Sequence, residues 1–446
     1  MSLRIDLGAP LPAQWSERAD LARTRLRQAV ENLTQSPPGF LELLAEGSSV
    51  ADDCLKMAGK LAKFEQTVIL GIGGSALGAR TIRDALAPQF SSKLIVLDNI
   101  DPDTLVRTRD ALDPEKTAFL VVSKSGSTAE TAAQFLFFHD WLQSAGVDPS
   151  DSMVILTDPK QGPLRALVKS DGYSSLEIPP RVGGRFSVLT PVGLLPAAIL
   201  GIEPEGLLRG GRAIWKAVRD NDEHPLLDWV VRHALRGELS EQRIQVLMSY
   251  VDRMSTFGDW FAQLWGESLG KKRDRSGTVV HRGSTPLPAV GATDQHSLVQ
   301  LFSEGPDDKQ FLILGLDASS EATAPLPSDH AKLADDFRYL AGHSIDALFE
   351  AERIGTGQAL ETSGRPVSRI QIERLDAQTL GALFVFFELA TVLTAELLEV
   401  DPYDQPGVEA GKWIAFARMG REGFSEKIRE ELGLDIGPEN RGTSLY

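Results

Sequence analysis

The stretch Ser123-Lys124-Ser125-Gly126-Ser127-Thr128-Ala129-Glu130-Thr131, SKSGSTAET, stands directly between the apolar runs 117–122 and 132–138, and the fold is read outward from it. The run before it reads as a buried strand; the run after it, with Phe135 and Phe138, reads as a helix. Between them lie the hydroxyls of Ser123, Ser125, Ser127, Thr128 and Thr131, the cation of Lys124, and Gly126, where backbone can approach a ligand closely. A strand that turns through small residues into a helix aims free N–H groups and the positive end of the helix dipole into the turn, a place that suits phosphate. The same residues also suit a plain strand-to-helix loop whose Ser and Thr cap the helix. Both readings stay open here.

Moving outward, short β-branched runs at 67–72, 94–98 and 153–158 alternate with helical stretches on either side of 117–122. That alternation predicts a parallel sheet covered by helices. Residues 246–251, 287–291, 311–316 and 368–374 repeat the texture, so the expected fold class is α/β with two such domains. Helical spacing over 14–33 and 51–63, broken by Ser36-Pro37-Pro38-Gly39, predicts an N-terminal helical segment over 1–63. The first α/β domain is then expected over 64–225 and the second over 226–420, with a C-terminal helix and tail at 421–446. The mixture of Gly, Pro and charge over 203–225 suits the boundary between them. Residues 319–328 read as a surface loop before a helical stretch at 330–353.

Composition narrows the function. The 446 residues are 42% apolar and 24% charged, with net charge −16, which argues against nucleic acid or anionic membrane as a partner. An anionic substrate would need a local basic pocket. Cys54 is the sole cysteine, which excludes intrachain disulfides and suits a reducing, cytoplasmic setting. The apolar segment 379–400 carries Glu388, Glu396 and Glu399 and is expected as a buried helix. None of the seven histidines forms an HxxxH or HxH pair, so no protein-built metal site is expected.

Further motifs carry possible chemistry. Gly71-Ile72-Gly73-Gly74-Ser75 follows a strand and opens a helix at 76–87, offering Gly74 and Ser75 to a second anion. Gly71, Gly73, Ala76 and Asp98 partly imitate a dinucleotide fingerprint, a minor alternative. In Gly183-Gly184-Arg185-Phe186-Ser187 the glycines turn the chain and throw Arg185 to one side, toward an oxyanion or into an ordinary ion pair. Phe257, Trp260, Phe261, Leu264 and Trp265 form one helical stripe, with Gln263 and Glu267 together on its flank. Glu267 there is a candidate general base or a solvated carboxylate. His296 begins a helical run, and Gln405 and Lys412, seven apart, would share a face if a helix begins near Pro406.

Taken together, GIGGS, SKSGSTAET, GGRFSVLTPVG at 183–193, Gln263 with ESLGK at 267–271, Gln295-His296 and YDQPGVEAGK at 403–412 resemble the glucose-6-phosphate isomerase family, in its order and over most of the chain. The resemblance implies two sugar-isomerase-type (SIS) three-layer domains, no metal or cofactor, and interconversion of glucose 6-phosphate and fructose 6-phosphate. It implies that Ser75, Ser123, Ser125 and Thr128 hold the phosphate, with Lys124 and Thr131 nearby. Glu267 would move the proton between C1 and C2, Arg185 would stabilise the enediolate, and Gln263 would position the sugar. His296 and Lys412 would assist ring opening beside Gln405. Because family members borrow the histidine from the neighbouring subunit, a homodimer is implied. The phosphate loop reads SKSGSTAET where many members have SKTFTTQET, Leu269 replaces an asparagine and Pro406 a tryptophan; activity on mannose 6-phosphate and a non-catalytic phosphosugar sensor are the alternatives.

Overall fold

The computed structural model describes residues 3–87, 93–317, 323–327 and 335–434. Strands Leu94–Leu97, Gln66–Leu70, Thr117–Val122, Met153–Thr157 and Ser174–Glu177 lie side by side in that order, all parallel. A second sheet runs Leu3–Asp6, Val367–Ile372, Lys309–Leu316, Ile244–Ser249, Thr285–Val290, parallel except for its first strand. Pro286 and Pro288 lack donors for a ladder, which fits the edge position of their strand. Both faces of the first sheet are covered. Leu120 and Val122 point into the large central core, whereas Phe119 and Val121 point into a second core with Phe135, Phe138 and Leu142. Apolar side chains on both faces are what made this strand an uninterrupted hydrophobic run.

The same central core takes Leu312, Leu314 and Ile370 from the second sheet, so the two sheets share one helical filling. Its main element is the helix Ala377–Leu398, buried along nearly its whole length, as expected from 379–400. The helices at 14–33 and 51–63 appear as Ser16–Gln35 and Val50–Leu61. The N-terminal segment is not purely helical, however. Leu3–Asp6 pairs antiparallel with Val367–Ile372, a partner too distant in sequence to be read locally. A hairpin, Lys271–Arg273 with Val279–Arg282, was likewise unanticipated.

The stretch 203–225 is more regular than its mixture of Gly, Pro and charge implies. Most of it is a helix, Pro204–Arg219, whose glycines serve packing. A Cβ on Gly210 would lie 1.8 Å from the Gln378 carbonyl oxygen, and one on Gly381 would lie 1.9 Å from that of Leu207. The two helices therefore cross with backbones in contact. The loop at 319–328 and the start of the 330–353 helix fall partly outside the described residues; the helix that follows is Ile345–Thr362. The C-terminal helix is Phe424–Leu432, and the tail from 435 lies outside the described residues.

Candidate active site

Two turns open at the carboxyl edge of neighbouring strands in the first sheet: Gly73–Ser75 after Gln66–Leu70, and Ser123–Thr128 after Thr117–Val122. Open α/β sheets place ligands at that edge. In the second turn Ser123 Oγ and Thr128 Oγ1 share a hydrogen bond of 2.9 Å, and the Gly126 N–H donates to Ser123 Oγ at 3.2 Å. Gly126 has φ +67°, the left-handed conformation that needs glycine. Thr128 occupies the N-cap position of the helix Ala129–Ser144 but makes no side-chain capping bond. The first-turn N–H groups of that helix thus keep their donors for a ligand, and the plain capping alternative loses its basis. Ser125 and Ser127 are exposed and bonded to each other, Oγ to Oγ, at 3.2 Å. Thr131 is buried, its hydroxyl without a partner.

Lys124 departs from the rest of its loop. Its ammonium donates to the Pro180 carbonyl at 2.7 Å and not to the hydroxyls, and it lines a cavity of about 600 Å³ with Gly183, Pro402 and Tyr403. Burial pushes its pKa below the ordinary lysine value, against the pull of Asp158.

The glycine turn is wedged against two other motifs. A Cβ on Gly74 would lie 2.2 Å from the Gly184 carbonyl oxygen, and Ser187 Oγ donates to the Gly74 carbonyl at 3.2 Å. A Cβ on Gly73 would meet Gln263 Nε2 at 2.8 Å. These glycines are there for close packing, and the packing brings GIGGS, GGRFS and the helix Ser255–Leu269 to one point. Ser75, half-buried, ends the turn. Asp98, which a dinucleotide site would need for a ribose, instead pairs with Arg80 at 3.1 Å.

Arg185 is the hub. Only 4% exposed, it donates from Nε to Ser268 Oγ (2.7 Å), from Nη1 to Glu267 Oε2 (3.0 Å) and Gln405 Oε1 (2.8 Å), and from Nη2 to the carbonyls of Pro402 (2.5 Å) and Asp404 (3.0 Å). Burial lowers its pKa and Glu267 opposes that shift, but a guanidinium stays charged. The other oxygen of Glu267 accepts from Gln263 Nε2 at 3.0 Å. Gln263 Oε1 is buried and receives no hydrogen bond, so it is the acceptor left for a hydroxyl. The stripe that orients these residues is as expected: Phe257, Trp260, Phe261, Leu264 and Trp265 are all buried, which holds Gln263 and Glu267 at the flank.

Gln405 reaches Arg185, but Lys412 does not join it. The α-helix begins at Glu409, after a short 3-10 turn, so the two residues are not on one helical face; the Lys412 ammonium pairs with Glu409 at 2.9 Å in an exposed position. His296 is exposed at the end of the turn Thr293–His296 and bonds none of these groups. Three contributors escaped the reading of the sequence: Ser268, Asp404 and Lys271, whose ammonium donates to the Asp404 carbonyl and, at 2.7 Å, to Asp404 Oδ1. Lys271 and Asp404 are 133 residues apart, and only the fold joins them.

Residues 53–429 match the family model described as phosphoglucose isomerase. A glucose-6-phosphate isomerase of Rubrobacter xylanophilus is 40% identical over 413 residues, covering 90% of this chain and 93% of the relative. Among solved structures, a hypothetical protein of Thermus thermophilus superposes with a TM-score of 0.82 at 34% identity, covering 94% of this chain and all of that one. A glucose-6-phosphate isomerase of Chlamydia trachomatis shares the fold, with a TM-score of 0.74 at 23% identity over 88% of this chain and 75% of its own.

Proposed function

The chain belongs to the phosphoglucose isomerase family, and from that membership we infer that it is an aldose-ketose isomerase interconverting glucose 6-phosphate and fructose 6-phosphate through a cis-enediol. The observation that carries the residue roles is the bracket around Glu267, one oxygen on Gln263 and the other on a buried guanidinium. Glu267 is the base that takes the C2 proton of the aldose and returns it to C1. As that proton moves, negative charge passes from the carboxylate to the enediolate, and the Arg185 guanidinium is already in place to stabilise it without reorganising. Gln263 offers Oε1 to a sugar hydroxyl. Gly74 and Ser75 with Ser123–Thr128 take the phosphate, on hydroxyls and on the free N–H groups of the following helix. Remote phosphate binding then orients the reacting carbons.

Ring opening falls to His296 and Lys412, near Gln405. Lys412 would leave its exposed pair with Glu409 for this, at small cost, since exposed ion pairs contribute about 0–1 kcal/mol. His296 serves the neighbouring protomer of a homodimer, a reading supported by its exposure and by its taking no part in the hydrogen bonds that join Arg185, Glu267, Gln263 and Gln405. A division into units 64–225 and 226–420 and a cytoplasmic setting belong to the same proposal.

The test is conversion of fructose 6-phosphate to glucose 6-phosphate by purified protein in chelator, with mannose 6-phosphate and Glu267→Gln alongside. Expected is turnover that chelator leaves intact and that the substitution lowers by about a thousandfold or more, with phosphosugar binding retained. Wild-type turnover in Glu267→Gln would remove it as the base; binding without turnover in the wild type would favour the sensor. The mannose 6-phosphate arm decides the hexose preference.

A further inference from the structure

Lys271 follows the helix that carries Glu267, one residue beyond its C-cap Gly270. Its side chain is 6% exposed, yet the carboxylate it pairs with, Asp404, is 54% exposed. Burying an ammonium against a half-solvated partner contributes little to stability, because desolvation offsets the attraction. The value of the arrangement lies in what else Asp404 holds. Its carbonyl accepts from Lys271 and from Arg185 Nη2 together, while Pro402 on one side and Gln405 on the other also accept from Arg185. Segment 402–405 is thus held by two buried cations that share the Asp404 carbonyl.

We propose that Lys271 is a positioning residue for the isomerisation, an inference that rests on the isomerase reading: it fixes segment 402–405 and thereby the orientation of the Arg185 guanidinium toward the enediolate. Two physical effects combine. Mechanically, carbonyls that are free to drift would let the guanidinium rotate away from Glu267. Electrostatically, Lys271 neutralises the Asp404 carboxylate, which otherwise draws on Arg185 as a competing anion. Both effects are felt most when negative charge develops on the substrate and least when the phosphate alone is bound.

Lys271→Met keeps the apolar stem and leaves Asp404 to water, so the variant is expected to fold; Lys271→Gln retains a neutral donor for the Asp404 carbonyl. Each full-length protein is assayed for kcat and KM with fructose 6-phosphate. Inhibition is measured with sorbitol 6-phosphate, which carries the phosphate but no enediolate, and with a five-carbon phosphorylated hydroxamate, a planar mimic of the enediolate. The expected result is a kcat lower by about thirtyfold in Lys271→Met and about fivefold in Lys271→Gln, with KM and sorbitol 6-phosphate affinity within about twofold of wild type. Hydroxamate affinity falls by about the same factor as kcat. A kcat for Lys271→Met within about threefold of wild type, or loss of sorbitol 6-phosphate affinity in step with kcat, overturns the proposal. Should Lys271→Met fail to fold, Lys271→Gln decides alone, and wild-type kcat and hydroxamate affinity in it overturn the role. Absence of turnover in the wild type removes the isomerase reading and this role together; turnover that Lys271→Met leaves intact removes this role only.

Discussion

His233 packs behind the helix that carries Glu267, and its neighbours dictate its protonation. Gln245 Nε2 donates to the carbonyls of Val246 (3.0 Å) and Gln310 (3.4 Å), so its Oε1 is the atom that faces His233 Nδ1 at 3.0 Å, and Nδ1 must carry the hydrogen. Nε2 then accepts from Ser284 Oγ at 3.1 Å, and Ser284 Oγ in turn accepts from Trp265 Nε1 at 2.7 Å. Every polar atom of the imidazole is satisfied only while it is neutral. Burial agrees, lowering its pKa from 6.5 to about 4. Between those values the unfolded chain binds a proton that the folded chain refuses, so this contribution is complete above pH 6.5 and is lost as pH falls toward 4, roughly 3 kcal/mol in all. Imidazole NMR should find His233 neutral, protonated on Nδ1, down to the acid unfolding transition. An imidazolium signal growing in near pH 6.5 in the folded protein would refute the assignment.

Elements differed in how far local sequence revealed them. Strands buried on both faces, such as Thr117–Val122, announced themselves as apolar runs, and the helix Ser255–Leu269 announced itself by its stripe. Leu3–Asp6 did not, because four residues of alternating burial become a strand only through a partner near the other end of the chain. The helix Pro204–Arg219 was hidden for a different reason: glycine lowers helix propensity, and nothing local tells a glycine that loosens a linker from one that admits another backbone. The site was legible in the same uneven way. The Gln263–Glu267 flank followed from helical spacing, whereas the Arg185 hub depends on contacts to residues 402–405 that spacing cannot convey. The helix crossing supplies a direct test. Gly381→Ala must push two backbones apart, and we expect a loss of roughly 2–4 kcal/mol in denaturant unfolding. Gly355→Ala, on an exposed helical face with no atom within 4 Å of the added methyl, is the control and should be neutral or stabilising by up to about 1 kcal/mol. Equal effects at the two positions would remove the backbone contact as the cause.

At the scale of the whole molecule, the isomerase reading has a chain of net charge −16 recognise a dianionic sugar phosphate by concentrating donors where two sheets and a shared helical core bring distant segments together. His296, like Lys412, stands outside that gathering, although its turn is held firmly. Asp294 accepts from the Val290 N–H and from Ser297 Oγ, each at 2.7 Å, and Gln295 Nε2 donates to the Tyr250 hydroxyl at 2.6 Å. An imidazole presented outward on a fixed turn suits a site completed by a second copy of the chain. That arrangement has an arithmetic consequence. Glu267→Gln and His296→Ala should each be nearly inactive as homodimers, but a hybrid places both lesions in one of its two sites and leaves the other intact. Random exchange of equal amounts makes half the dimers hybrids with one working site in two, so the mixture should recover about a quarter of wild-type activity. If His296 served its own protomer, every site in every dimer would keep one lesion, and mixing after exchange would recover nothing.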